Sequence, residues 1–152
     1  MPTYELKLQR IKKSDENPAP ITSALEVIDY LKRHKCYTAE GFWREECWMI
    51  GVNRKKVPVG HFHVSMGGEH ACYISIQLVA RVALMSGADA VIITHNHPDG
   101  NSLPNIMDIE QTQKLKNALK TVGIELVDHI IIAPDKHYSF SEEKVTKTEN
   151  LF

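Results

Sequence analysis

This 152-residue sequence is narrowed first by what it has little of. It has three cysteines, Cys36, Cys47 and Cys72, odd in number and far apart, with no Cys-x-x-Cys pair. That spacing supports no disulfide framework. It fits reduced thiols in a cytoplasmic protein, with Cys47 and Cys72 in or near the core. Charge of either sign is not in excess: 18 basic against 19 acidic residues give a formal net charge of −1. A nucleic-acid-binding domain usually shows a basic balance with clustered Lys and Arg. Here the runs Lys12-Lys13 and Arg54-Lys55-Lys56 are short and read as solvated loop or strand ends. No stretch approaches the roughly 20 apolar residues of a membrane span. Residues 1–20 carry charges throughout, so no signal peptide is expected. Repeats and low-complexity tracts are missing as well.

What is present suits one domain, residues 1–152, with a buried core: 43% of residues are hydrophobic and 24% charged. Residues 3–11 alternate weakly (Tyr4, Leu6, Leu8) and read as an edge strand. After the turn Asn17-Pro18-Ala19-Pro20, Thr22 or Ser23 can cap a helix running to about His34, with Leu25, Ile28 and Leu31 at helical spacing. Residues 35–44 form a loop. Residues 45–53 and 57–65 read as a β-hairpin across the polar turn Asn53-Arg54-Lys55-Lys56, and Gly67-Gly68 breaks the chain. Residues 75–86 are apolar on most sides, the pattern of a buried helix. Residues 89–94 form a short apolar run without alternation, as in a central strand covered on both faces.

Residues 106–122 predict a helix on which Asp108, Thr112, Leu115, Leu119 and Val122 share one face. The apolar members point that face at the core, so Asp108 points inward too. Gly123 ends the helix. Residues 124–132 are an apolar strand interrupted by Asp128-His129, Tyr138-Ser139-Phe140 adds a short strand, and the last dozen residues are polar and read as a loose tail. The order β-α-β-β-α-β-α-β implies an α/β sandwich around a mixed sheet.

The chemistry gathers at His95-Asn96-His97-Pro98-Asp99-Gly100, with Asp108 eleven residues after His97. Two residues apart at a strand end, His95 and His97 leave the backbone on the same side. Asp108 arrives from the first turn of the following helix, and the end of a central strand is a common place for sites in α/β sheets. Two imidazoles and a carboxylate are three ligands for a zinc ion that keeps a fourth position for water, as catalytic zinc does. Such a site also needs a carboxylate to handle the proton of that water. Glu45 and Glu46, at the start of a strand, are the candidates. His61 and His63 are also two apart, but no carboxylate at ligand spacing follows, and they read as a solvated strand face. Asp128 and His129 are either partners that orient a ligand or hydrogen-bonded polar groups of the core. His34, His70 and His137 read as surface residues.

The segments His95-Asn96-His97-Pro98-Asp99-Gly100, Pro104-Asn105, Asp108-Ile109 with Thr112, and Leu126-Val127-Asp128-His129-Ile130-Ile131 resemble the RadC-like branch of the JAMM/MPN metalloprotease superfamily. Gly67-Gly68, Ala83-Leu84 and Tyr138-Ser139-Phe140 fall at matching places, so the resemblance covers roughly residues 45–140. It leaves residues 1–40 as an N-terminal strand and helix, and residues 141–152 as a flexible tail. It implies a JAB/MPN domain, a cytidine-deaminase-like three-layer sandwich with a mixed central sheet flanked by helices. It implies Zn2+ held by His95, His97 and Asp108, with Glu45 rather than Glu46 as general base, and hydrolysis of a peptide or isopeptide bond in a peptide or protein substrate. Two departures stand out. The family serine that steadies the tetrahedral oxyanion is Asn105 here, which can still donate an N–H. The serine of the family's Pro-Ser-Gly turn is Asp99, which adds negative charge. Two alternatives follow from the same resemblance: a non-catalytic MPN-type scaffold, and a DNA-repair-associated role. The mild acidity weakens the second, and the chain is too short for the helix–hairpin–helix module that longer members carry.

Overall fold

The computed structural model describes residues 18–38, 42–67 and 72–148. The expected edge strand at 3–11, Gly41, Gly68 and His70 lie outside them. The described elements are α1 (Ala24–Arg33), β1 (Glu46–Val52), β2 (Pro58–Met66), α2 (Ile76–Ser86), β3 (Ala90–Asn96), α3 (Ile106–Thr121), β4 (Glu125–Ala133), β5 (Lys136–Ser139) and β6 (Lys144–Lys147). The strands form one mixed sheet in the order β2-β1-β3-β4-β5-β6. Only β3 and β4 run parallel, and α3 connects them; the other neighbours are antiparallel. The α/β class with a mixed sheet flanked by helices is as the sequence implies.

Strand parity builds the layers. Ile50, Val52, Ala90, Ile92, Ile130 and Ile132 pack with the apolar face of α1. Cys47, Met49, Val91 and Ile93 pack with Val79 and Ala83 of α2 and with Leu115 and Leu119 of α3. Successive side chains point to opposite faces, so even positions of β1 and β3 face α1 and odd positions face α2 and α3. Every residue of β3 is buried, as its unbroken apolar run implied. The strand runs two residues further than expected, so His95 and Asn96 belong to it.

Local signals act where they were read. Ser23 caps α1 in a reciprocal capping box with Glu26. The polar turn at 53–56 is tied by the Asn53 side chain, which accepts from the Lys55 and Val57 N–H groups. Four expectations are corrected. Leu25 is 47% exposed, and the buried stripe of α1 is Ala24, Val27, Ile28, Tyr30 and Leu31. α2 buries only Val79 and Ala83, while Leu84 and Met85 are each 55% exposed, because an outer-layer helix meets the sheet along one stripe. Val122 caps the end of α3 and is 44% exposed, since the chain leaves the helix face there and turns at Gly123 with φ +74. Residues 144–147, read as loose tail, form β6 against β5.

Candidate metal centre

Parity carries straight into the site. His95 continues the odd face of β3 toward α3, and His97 follows one step beyond the strand end. The His97 N–H donates to the Ile132 carbonyl at 2.8 Å, which holds the strand direction past the sheet. Asp108 enters from the first turn of α3. Asn105 is the N-cap: its side-chain oxygen accepts from the Asp108 N–H at 2.8 Å, and an Asp108 carboxylate oxygen accepts from the Asn105 N–H at 2.9 Å. This reciprocal box anchors the carboxylate as well as the helix end. Nε2 of His95 and Nε2 of His97 lie 2.9 Å apart. The two Asp108 oxygens stand 3.3 Å from the first and 3.5 Å from the second. One atom from each of these three buried residues lies within 4.8 Å of the others, a grouping able to hold a metal ion.

The surrounding hydrogen bonds decide where the ring protons sit. His97 Nδ1 is 2.6 Å from the Asn101 carbonyl. A carbonyl only accepts, so Nδ1 carries the proton and Nε2 of the neutral ring presents a lone pair. For His95 the chain of inference is longer. The Thr112 hydroxyl donates its single proton to the Asp108 carbonyl at 2.6 Å. It therefore accepts from His129 Nδ1, also 2.6 Å away. Neutral His129 then accepts at Nε2 from His95 Nδ1 at 2.7 Å. His95 Nε2 is left bare. Two bare imidazole nitrogens and a carboxylate meeting at contact distance repel unless a proton or a metal ion lies among them. Two nitrogens and one carboxylate oxygen fit zinc, and three protein ligands leave room for a fourth from solvent. His129 is a buried, hydrogen-bonded group whose contact fixes the orientation of the His95 ring, so both roles open to it from sequence meet in one residue. Asp128 instead serves the far end of β4, accepting from the Ser139 hydroxyl at 2.6 Å and the Ser141 N–H at 2.9 Å.

The electrostatics follow the same geometry. Burial works to raise the Asp108 carboxyl, but without a metal ion the His95 and His97 rings share protons with it through Nε2, and with the Asn105 N–H they outweigh burial and hold the group far below the usual carboxylate range. Burial works to lower His97, but Asp108 and the Asn101 carbonyl outweigh it and the ring is raised. Burial, with His95 beside it, pushes His129 well down, so it is neutral in the fold.

The two candidate glutamates separate by parity. Glu45 is odd and faces the cleft beside His97, Asp99, Asn101 and Asn105. Burial raises its carboxyl, against the lowering effect of His95 and His97. Glu46 is even and faces the α1 layer, where its carboxylate meets His63 Nε2 at 3.3 Å and Arg44 Nε at 3.6 Å. Asn105 lines the same cleft, with its side-chain carbonyl engaged by the helix cap. Asp99 accepts from the Asn101 N–H at 2.9 Å and shapes the turn after His97.

A model of the RadC-like JAB domain matches residues 21–145. The chain belongs to the RadC-like JAB domain family. Among relatives, a UPF0758 protein of Coprothermobacter proteolyticus is 31% identical over 127 residues, 84% of this chain and 54% of that protein. A UPF0758 protein of Carboxydothermus hydrogenoformans is 32% identical over 141 residues, 93% of this chain and 61% of its own length. One from Salinibacter ruber is 39% identical over 97 residues, 64% of this chain and 42% of that protein. The chain thus spans about half the length of the curated relatives it matches. The RadC-like JAB match covers the whole site, from Glu45 through His95, His97 and Asp108 to His129.

Among the other described histidines, His61 is exposed as expected, while His63 and His137 are not. His63 is half-buried and stacks on Trp48 at 4.5 Å between ring centroids, so the 61–63 pair is not a bare solvated face. His61 hydrogen-bonds Tyr30 at 3.1 Å, and His34 packs against both rings. His137, read as a surface residue, is buried and bonds the Thr148 hydroxyl at 2.8 Å, because β6 covers it. Sequence reading missed Asn96, whose buried side chain points the other way from its flanking histidines. The alternation of a strand is the signal that would have found it.

Proposed function

We propose that this chain is a zinc-dependent hydrolase that cleaves a peptide or isopeptide bond in a peptide or protein substrate in the cytoplasm. The observation that carries the reading is the convergence of His95, His97 and Asp108, with Nδ1 of each ring tied to a fixed partner so that both Nε2 atoms are turned to the shared site. Zinc held there supplies Lewis acidity and acidifies a water molecule to near neutral pH. The chain's own groups do the rest. Glu45, its carboxyl raised by burial, takes a proton in the cleft and returns it to the leaving nitrogen. Asn105 lines the cleft, and its amide N–H2, not used by the helix cap, can serve as the donor that a developing oxyanion needs. His129 and Thr112 hold the His95 tautomer, and Asn101 holds that of His97. Three free buried cysteines accord with a reducing compartment. Among the described residues no helix is long and apolar enough to cross a membrane.

One observation favours a second reading, a non-catalytic scaffold of the same fold. Asn105 stands where the family serine would be, and its carbonyl is committed to the helix cap. Cleavage of a fluorogenic peptide library by wild type, E45Q and N105S separates the two. The hydrolase reading expects zinc-dependent cleavage by wild type, lost in E45Q. Cleavage that appears only in N105S supports the scaffold. The DNA-repair role that the RadC name suggests finds no support in a net charge of −1.

A further inference from the structure

We propose that Asn96 is the positioning residue that fixes Glu45 at the cleft, by making its side-chain amide the next rung of the sheet. The proposal rests on the hydrolase reading above. Pairing between β1 and β3 ends at Cys47 opposite His95. Beyond that point the chain toward Glu45 has no backbone partner on β3. Asn96 is fully buried and even in parity, so it points toward the α1 layer, under the departing segment. Its Oδ1 accepts from the Glu46 N–H at 2.7 Å. Its Nδ2 donates to the Arg44 carbonyl at 2.8 Å and the Phe42 carbonyl at 3.4 Å.

The orientation of that amide is settled by its partners. A backbone N–H requires the oxygen on one side, and a carbonyl requires the nitrogen on the other. Asn96 therefore grips the chain immediately before and immediately after Glu45. Glu45's own carbonyl accepts from the Gly67 N–H at 2.8 Å, at the end of β2. The Tyr37 hydroxyl donates to the Glu46 carbonyl at 3.2 Å. The backbone that aims Glu45 is held from both neighbouring strands and from the α1 layer. Asn is the residue type suited to this: its amide has the donor and acceptor of a peptide group. Aspartate would set a carboxylate against two carbonyls, and alanine would remove the bonds to the Glu46 N–H and the Arg44 carbonyl, both half-buried. The residue between the two histidines thus couples the strand that carries them to the separate segment that carries the glutamate.

The test uses the full chain with N96A, N96D, E45Q and N96A/E45Q, each checked for folding by circular dichroism. Loss of the Glu46 hydrogen bond in N96A speeds exchange of that amide about fivefold. Zinc affinity, measured with the metal alone by chelator competition, stays at the wild-type value, because His95 and His97 keep their backbone pairing. On the fluorogenic peptide library, N96A lowers kcat about a hundredfold with KM unchanged, the scale of a misplaced catalytic group. In the E45Q background N96A adds no further loss. N96D, equal in size and still accepting from Glu46, loses kcat in the same way if N96A folds poorly. The proposal is overturned by a Glu46 amide equally protected in N96A. It is also overturned by a kcat loss that persists without Glu45, or by zinc affinity that falls as it does in H97A. A wild type that cleaves nothing, with the Glu46 amide deprotected in N96A, sinks the hydrolase reading and leaves the clamp standing, so the two failures are distinct.

Discussion

The Thr112 hydroxyl sits 2.6 Å from His129 Nδ1 and 2.6 Å from the carbonyl of Asp108, one turn earlier on its own helix. Those two contacts polarise the row Asp108–Thr112–His129–His95 in a single direction and leave the His95 Nε2 lone pair free. The polar residue on the inner face of α3 thereby sets the chemistry of a strand residue it does not touch.

Thr112→Val tests that row. The valine keeps the shape and removes the acceptor, leaving the buried His129 N–H without a partner. Zinc affinity by chelator competition falls about 10- to 100-fold, the usual effect of losing a group behind a ligand histidine. Unchanged affinity would mean that His95 needs no help to present Nε2.

Asn105 caps α3 whatever it does in the cleft. Asn105→Ala lowers the urea-derived unfolding free energy by about 1 kcal/mol, whereas Asn105→Ser leaves it nearly unchanged because serine caps equally well. Equal destabilisation by both would show that the asparagine is held for another reason.

His137 gives the fold a pH dependence away from the metal centre. Burial, the largest influence, lowers its pKa below the usual 6.5, against the raising effect of Glu142 and Asp128. As pH falls below 6.5 the unfolded chain takes up a proton that the folded chain refuses, so stability drops toward the folded pKa and is fully present above 6.5. Urea unfolding at pH 7.5 and 5.5 shows this loss in wild type and a smaller one in His137→Gln. An identical loss in the variant would assign the dependence elsewhere.

Gly51 tests the packing of β1 beneath the end of α2. A Cβ there would meet Ala88 Cβ at 3.0 Å and Val59 Cγ2 at 3.2 Å. Gly51→Ala costs about 1–3 kcal/mol by overpacking, read from urea unfolding. A neutral or stabilising alanine would show that the hairpin and the α2 end shift apart freely.

Much of this was legible because local patterns and tertiary demands agree. The apolar run before His95 marks a strand covered on both faces, and the face shared by Asp108, Leu115 and Leu119 aims a carboxylate at the core. Ser23, Asn53 and Gly123 act through local hydrogen bonds or a local φ, so sequence alone finds them. What stayed hidden depends on contacts distant in the chain. α2 reads as buried because its composition is apolar all round, yet only the sheet-facing stripe is covered. His137 reads as exposed because β6 is mostly polar and pairs through its backbone, which leaves no apolar pattern to mark it as a strand. Asn96 reads as one letter of a histidine motif until the even face of β3 is followed to the segment it holds.

Zinc titration of the metal-free chain by isothermal calorimetry bears most directly on the centre. Wild type should bind one ion per chain, and His97→Ala and Asp108→Asn should each lose that binding while remaining folded. A wild type without stoichiometric zinc, or a His97→Ala chain that binds it undiminished, would contradict the joint grip of His95, His97 and Asp108.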